Sequence, residues 1–411
     1  MADARVVIVG AGHAGFQLAA SLRQHGFAGR VVLIGDEPEL PYQRPPLSKD
    51  YLDGKIGLDL LLMRPAAFFD EHRIEVISGV AASAIDRTAK AVVLSDGKRL
   101  GYNHLVLATG ARNRVPPLPG VEFDGVCYLR NLAETEALKQ RLTTCQHAVV
   151  IGAGFIGLEF AAVARGKGTP VHIVELVDRV MARVVCPDTS AHFASVHRAA
   201  GVEFSFGARV ERIGGAGGKV SHVVLADGSN LPADLVVISI GVVPNEELAA
   251  AAGLAVENGV SVDEYLLTAD PAISAIGDCA SFPSRHSLRN PVRLEAVQNA
   301  TDHARCVADR LVGKPASYTA LPWFWSEQGA QRLQIAGLTT GFQEIVLRGN
   351  YQGGEYSAFC YAGDKLLGIE SINKPADHAF ARRLLAAGRS VTPQQAADES
   401  FDLRAAAMAR G

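Results

Sequence analysis

Apolar residues along the chain fall into two arrangements. In the first, Val6 to Val9 form an unbroken, β-branched apolar run, which predicts a strand buried on both faces. A helix is expected from about Ala14 to Gln24, and a second apolar strand, "RVVLIGD", ends at Asp36. The same order returns later. "HAVVIGAGFIGLEFAAVARGKG" reads as strand, turn and helix, and "PVHIVE" follows as a strand ending at Glu175. From about Leu321 the second arrangement begins. "RLQIAGL", "QEIVLRG", "EYSAFCYAG" and "KLLGIESIN" read as short strands, with turns at Gly341, at Gly353 and Gly354, and around Gly363 and Asp364. A helix is expected around Ala376 to Ala387. The expected fold class is therefore α/β. It has two Rossmann-like dinucleotide-binding domains and a C-terminal α+β domain with an antiparallel sheet.

Both turns in the repeated part carry G-x-G-x-x-G. The first has Gly10, Gly12 and Gly15, and the second Gly152, Gly154 and Gly157. The first glycine of each permits the tight turn, the second lets a diphosphate approach the backbone, and the third lets helix and strand pack closely. The helix that follows aims its free N–H groups at the phosphates. Asp36 lies 21 residues after Gly15, and Glu175 lies 18 after Gly157, where an acid should meet ribose hydroxyls. A single glycine turn of this kind is common. Here each copy has a strand before it, a helix after it and an acid at the expected distance.

Two dinucleotide sites in one chain imply electron transfer between a bound flavin and a diffusing nicotinamide. The stretch "HLVLATG", with Ala108, Thr109 and Gly110, and the later "ISAIGDCASF", with Asp278, resemble segments that close around FAD. The flavin fold is thus expected at 1–110, interrupted by a nicotinamide domain at 111–238 and resumed at 239–320, before a C-terminal domain at 321–411.

Composition narrows the partners. Apolar residues make up 48% and charged residues 20%, and the net charge of -3 gives no global field to attract nucleic acid or an anionic membrane. No uninterrupted apolar stretch reaches spanning length, and "MADARVVIVGAG" shows no export signal, so a cytoplasmic protein is expected. The six cysteines, at 127, 145, 186, 279, 306 and 360, form no C-x-x-C. They are read as reduced thiols, with Cys279 as a small buried hydrophobe and no metal or iron–sulfur site.

Between the glycine turns lies "PYQRPPLSKDYL", where disulfide reductases of similar build carry a redox pair of cysteines. Here an arginine, two prolines and a lysine stand instead. With "GAGHAG", "RPPLSK", "LVLATG", "YLRNL", "GAGFIGLE", "RVMARVV", "IGVVPN", "AIGDCA", "EAVQNA" and "PWFWSEQG", the chain resembles, nearly end to end, the ferredoxin reductases of glutathione-reductase-like fold. Closest are the putidaredoxin-reductase-like and biphenyl-dioxygenase-reductase-like enzymes. "RPPLSK" and "PWFWS" are the most specific of these motifs. The resemblance implies an enzyme that passes a hydride from NADH to FAD. Single electrons then go to a [2Fe–2S] ferredoxin that supplies a cytochrome P450 or a Rieske-type ring-hydroxylating dioxygenase.

By the same resemblance, Lys49 stands beside the flavin, Glu159 pairs with it, and Trp325 shapes the flavin and nicotinamide pocket. FAD contacts are expected at Gly10, Gly12, Ala14, Gly15, Asp36, Arg44, Lys49, Ala82, Ala108, Thr109, Gly110, Arg130, Asp278, Val297 and Trp325. Nicotinamide contacts are expected at Gly152, Gly154, Phe155, Ile156, Gly157, Glu159, Glu175, Arg183, Gly241 and Glu295. Glu175 favours NADH by repelling a 2′-phosphate, although Arg179 and Arg183 nearby could hold one. Trp323 and Trp325 would share a face if their segment is extended. Arg64 and Arg305 are expected to dock an acidic ferredoxin. Without thiols in Pro41 to Leu52, thiol-dependent relatives are disfavoured. A rubredoxin reductase, another NADH-dependent flavoprotein, or a flavoprotein like the apoptosis-inducing factors remains the alternative. A monomer or weak dimer is expected.

Overall fold

The computed structural model describes residues 4–408. The chain forms two compact units, each assembled from separate stretches of sequence. The first comprises residues up to Gln43, Leu58–Arg112 and Val243–Pro322. Its centre is a five-stranded parallel sheet in the order Ile273–Ala275, His104–Leu107, Arg5–Val9, Arg30–Ile34, Ile74–Ile77. Val6, Val7, Ile8 and Val9 are all buried, as a central parallel strand with both faces covered requires. On one face, the helices His13–Gln24 and Val297–Leu311 meet through Leu18, Leu22, Ala304, Val307 and Ala308. On the other, Val7, Val9, Leu105 and Leu107 pack with Val92, Leu94 and Tyr102. Val92 and Leu94 belong to an antiparallel sheet of Ala82–Asp86, Ala91–Leu94 and Arg99–Gly101.

The second unit comprises Arg44–Gly57, Asn113–Val242 and residues from Trp323 onward. It repeats the parallel plan in the order Val202–Ser205, Val171–Val174, Ala148–Ile151, Leu235–Ile238, Val126–Cys127. The chain then makes a five-stranded antiparallel sheet ordered Trp323–Gln328, Gln331–Gly337, Lys365–Ile372, Glu355–Ala362, Glu344–Asn350. The helix Pro375–Ala386 is set against its middle. The two helices expected at Ala14 and Ala376 each begin one residue earlier, at His13 and Pro375, the latter in the favoured first-turn position for proline.

One apolar core runs from the parallel sheet to the antiparallel one. It joins Val150, Leu158, Phe160, Ile173 and Phe193 to Leu333, Ile335, Tyr356, Ala358 and Ile372. The short helices Pro45–Ser48 and Asp50–Asp53 belong to this unit, and Leu52 is buried in the same core. That packing holds "RPPLSK" beside the Phe155–Gly166 helix.

Candidate functional site

In the first unit the glycine turn is set by close approach. Gly10 has φ +116°, and a Cβ there would fall 2.0 Å from the Ala108 carbonyl oxygen. A Cβ on Gly15 would fall 1.9 Å from the Gly10 oxygen. Gly12 has nothing within 4 Å of an added Cβ, so the space above it is open. Gly12 also caps the His13–Gln24 helix without any side-chain acceptor. A helix start that no side chain caps, under open space, fits a diphosphate held by backbone N–H groups.

Ala14 is buried at that helix start, and Asp36 stands exposed just past the Arg30–Ile34 strand. Ala82 pairs with Leu94, and Val297 opens its helix. The Thr109–Gly110 turn is tied down by Asn245 of "IGVVPN". Thr109 Oγ1 donates to the Asn245 carbonyl at 2.6 Å, and Asn245 Nδ2 donates to the Thr109 carbonyl at 2.8 Å. Gly277, at φ +73°, donates its N–H to His303 Nδ1 at 3.2 Å and turns the chain into Asp278. Burial pushes His303 down to about 3, so the ring is neutral. Glu295 is exposed and ion-paired to Arg293 at 2.8 Å. Cys279 is buried, and burial pushes its thiol up, as befits a packing residue.

The second unit repeats the cradle. Gly152 has φ +102°, and its Cβ would meet the Ser239 carbonyl oxygen at 2.4 Å; a Cβ on Gly157 would meet the Gly152 oxygen at 2.5 Å. Gly154 has no neighbour nearer than 3.9 Å and caps the Phe155–Gly166 helix with no side-chain acceptor. Glu175 is held by two backbone donors, Ala153 N at 2.6 Å on Oε2 and Val177 N at 3.1 Å on Oε1. Arg179 spends its guanidinium on the Val185 and Ala182 carbonyls, each at 2.9 Å. These two bonds tie two of its five N–H donors to its own loop. Arg183 is exposed, with one guanidinium nitrogen 3.1 Å from where a Cβ on Gly241 would stand. Ile156 is exposed at the helix start.

Also in the second unit, "RPPLSK" brings a lysine onto that helix. Lys49 Nζ lies 2.6 Å from Glu159 Oε2 and 3.1 Å from the Pro45 carbonyl oxygen. Glu159 is 3% exposed and Lys49 17%, so water screens the pair weakly. Two hydroxyls complete the carboxylate: Ser48 Oγ donates to Oε2 at 2.5 Å and Ser326 Oγ to Oε1 at 2.7 Å. Ser326 comes from the Trp323–Gln328 strand. Strand alternation sends Phe324, Ser326 and Gln328 to one face and both tryptophans to the other. Phe324 packs on Phe155 with ring centroids 4.6 Å apart, one helical turn from Glu159. Trp323 and Trp325 stand 5.6 Å apart, and Arg382 lies 4.3 Å over Trp323. Arg44 donates to the Arg130 carbonyl at 2.9 Å, and Arg130 N donates to Glu134, whose capping box with Asn131 starts the Leu132–Leu142 helix.

Residues 4–304 match the family model "Pyridine nucleotide-disulphide oxidoreductase", and 323–407 match "Reductase C-terminal". The chain belongs to the pyridine nucleotide-disulphide oxidoreductase family. It is 51% identical over 401 residues to rhodocoxin reductase of Rhodococcus erythropolis, covering 98% of this chain and 94% of that one. A crystal structure of the ferredoxin reductase for the CYP199A2 system from Rhodopseudomonas palustris superposes with a TM-score of 0.96. It shares 54% identity and covers 98% of this chain and all of its own. The covalent putidaredoxin reductase–putidaredoxin complex gives a TM-score of 0.96 at 39% identity, covering 99% of this chain and 98% of that one. This family member carries no cysteine in Pro41 to Leu52.

Several residues around Glu159 escaped the sequence reading. Ser48, Ser326 and Gln328 lie inside the recognised motifs "RPPLSK" and "PWFWSEQG" but were given no role there, and His197 lies in none of the quoted motifs. Arg64 and Arg305 are both exposed. Arg64 donates to the Met63 carbonyl at 2.7 Å, and Arg305 lies 3.4 Å from Asp302. Although Cys186 and Cys360 are far apart in sequence, folding brings them together with Glu370, all three buried, with ligand atoms within 4.8 Å of one another. Glu370 accepts the Cys186 N–H at 2.9 Å, at the start of the Pro187–Ala199 helix.

Proposed function

We propose that the protein is an FAD-dependent NADH:[2Fe–2S] ferredoxin reductase that supplies a cytochrome P450 or a Rieske-type oxygenase. The observation that carries this reading is the Lys49–Glu159 pair standing in a thiol-free segment of a pyridine nucleotide-disulphide oxidoreductase fold. A dithiol exit for electrons has no residues here. When bound, FAD converts the two-electron donor NADH into single electrons for a one-electron carrier. The chain's own residues bind, orient and charge the surroundings.

Gly10, Gly12, Ala14 and Gly15 would hold the FAD diphosphate, Asp36 a ribose, and Asp278 the ribityl chain. Ala82, Ala108, Thr109, Gly110 and Val297 would line the group, with Arg44 and Arg130 as counter-charges. Lys49, fixed by Glu159, would present a positive charge that stabilises the reduced ring. Trp325 would shape the nicotinamide pocket. Gly152, Gly154, Phe155, Ile156, Gly157, Arg183, Gly241 and Glu295 would contact NADH. Glu175 would accept both ribose hydroxyls and repel a 2′-phosphate, which favours NADH over NADPH.

This reading assigns FAD binding to 1–110 and 239–320, NADH binding to 111–238, and a partner-facing role to 321–411. The protein works in the cytoplasm. No helix among the described residues is long and apolar enough to cross a membrane.

The test mixes the purified protein with NADH and cytochrome c and titrates a [2Fe–2S] ferredoxin from the same genome. Cytochrome c reduction should rise and saturate with ferredoxin, with NADPH a poor donor. Bleaching of the flavin by NADH without any stimulation by ferredoxin would remove the partner claim. Stimulation by rubredoxin instead would identify the alternative acceptor.

A further inference from the structure

The hydrogen bonds at Glu159 continue past Ser326 into the core of the second unit. Gln328 Nε2 donates to Ser326 Oγ at 3.2 Å, and its Oε1 lies 2.9 Å from His197 Nε2. An amide oxygen only accepts, so His197 carries its proton on Nε2. Met181 Sδ, a weak acceptor, lies 3.6 Å from the same Gln328 nitrogen, which fits this orientation of the amide. Burial pushes His197 below its ordinary value, so the ring is neutral. Ser326, Gln328, His197 and Glu159 are all buried.

Every donor in this chain points the same way. His197 donates to Gln328, Gln328 to Ser326, and Ser326 to Glu159 Oε1. Buried polar side chains are costly unless satisfied, and an apolar residue at position 328 would suit the surrounding core better. The direction explains the arrangement. If the Gln328 amide were reversed, its oxygen would draw the Ser326 hydroxyl away from Glu159. His197 locks the amide, the amide locks the serine, and the serine occupies Oε1. Oε2 is then left to Ser48 and Lys49.

We propose that Ser326, Gln328 and His197 are positioning residues for Lys49, acting through Glu159 to hold the ammonium in one place. This rests on the reading that Lys49 faces the flavin. The three residues lie on the Trp323–Gln328 strand and on the Pro187–Ala199 helix, so the relay ties both elements to the lysine.

The test is stopped-flow reduction of the FAD-loaded enzyme by NADH, with the limiting rate separated from the half-saturating NADH concentration. Losing the hydroxyl that donates to the Glu159 carboxylate should slow the limiting rate about tenfold in Ser326→Ala, and losing the neutral amide that orients this hydroxyl should slow it by less in Gln328→Leu. Half-saturation should change little. Ser326→Thr, which keeps the hydroxyl, should restore most of the rate. In a Lys49→Met background, Gln328→Leu should cause no further loss, because its target is gone. Losses that multiply in the double variant, or a Ser326→Thr enzyme as slow as Ser326→Ala, would overturn the relay while leaving Lys49 in place. A Lys49→Met enzyme with an unchanged limiting rate would overturn the flavin-side reading of Lys49 and the relay with it. Should Gln328→Leu fail to fold, Gln328→Met replaces it with a closer match in shape.

Discussion

Acid should weaken this protein through His303, by an amount the structure allows to be worked out. His303 lies on the Val297–Leu311 helix, fully buried between Phe282 and Tyr318, whose ring centroids stand 4.5 and 4.4 Å away. Gly277 donates to Nδ1, so the proton sits on Nε2, which finds no hydrogen-bond acceptor. A second proton would have to enter at Nδ1 and would face the Gly277 N–H donor. Burial accordingly pushes the ring from 6.5 down to about 3. The unfolded chain takes up a proton at this position below pH 6.5 and the folded chain only near 3, so the unfolded state binds more protons in between. Stability from this group is complete above 6.5 and is lost as pH falls. At pH 5 the gap is about 1.5 pH units, or about 2 kcal/mol. The comparison is wild type against His303→Asn, whose Oδ1 can keep the Gly277 bond but cannot titrate. Urea unfolding followed by circular dichroism at pH 7 and pH 5 should show the wild type losing about 2 kcal/mol more than the variant. Equal losses would refute the reasoning, as would histidine-selective NMR showing His303 titrating above pH 5.

Glu370 should behave in the opposite sense. Burial pushes its carboxyl well above 4.5, so the folded state keeps a proton that the unfolded chain releases. Its contribution is present below pH 4.5 and is lost as pH rises from there through the folded value, so Glu370→Gln should flatten the decline of urea midpoints as pH rises above 4.5. An unchanged slope would refute this. Glu175→Ser should weaken NADH use by about tenfold, the order expected for a lost charged hydrogen bond, and narrow the gap to NADPH in steady-state kinetics. Loss of activity with both cofactors alike would argue against a ribose contact. Arg64→Glu and Arg305→Glu should weaken ferredoxin reduction and leave NADH:ferricyanide activity intact. Arg305 gives up little by the change, since its pairing with Asp302 is exposed at 57% and 29%. Equal loss with both acceptors would remove the docking role.

Short-range chemistry made much of this protein legible in its sequence. Gly10 and Gly152 need a left-handed backbone, Gly15 and Gly157 need the absence of a Cβ, and Asp36 and Glu175 follow at strand ends. All of these are demands of a single strand–turn–helix unit, and they can be read locally. The alternation in "PWFWSEQG" likewise told which residues share a face. The tertiary structure decided what those faces meet. Ser326 reaches Glu159, 167 residues away in sequence, only because the Trp323–Gln328 strand packs on the Phe155–Gly166 helix. Asn245 closes the Thr109 turn across 136 residues, and Cys186 meets Glu370 across 184. Periodicity carries information over a few turns of helix or strand. It says nothing of which partner a buried hydroxyl, amide or imidazole will find, because packing in three dimensions makes that choice.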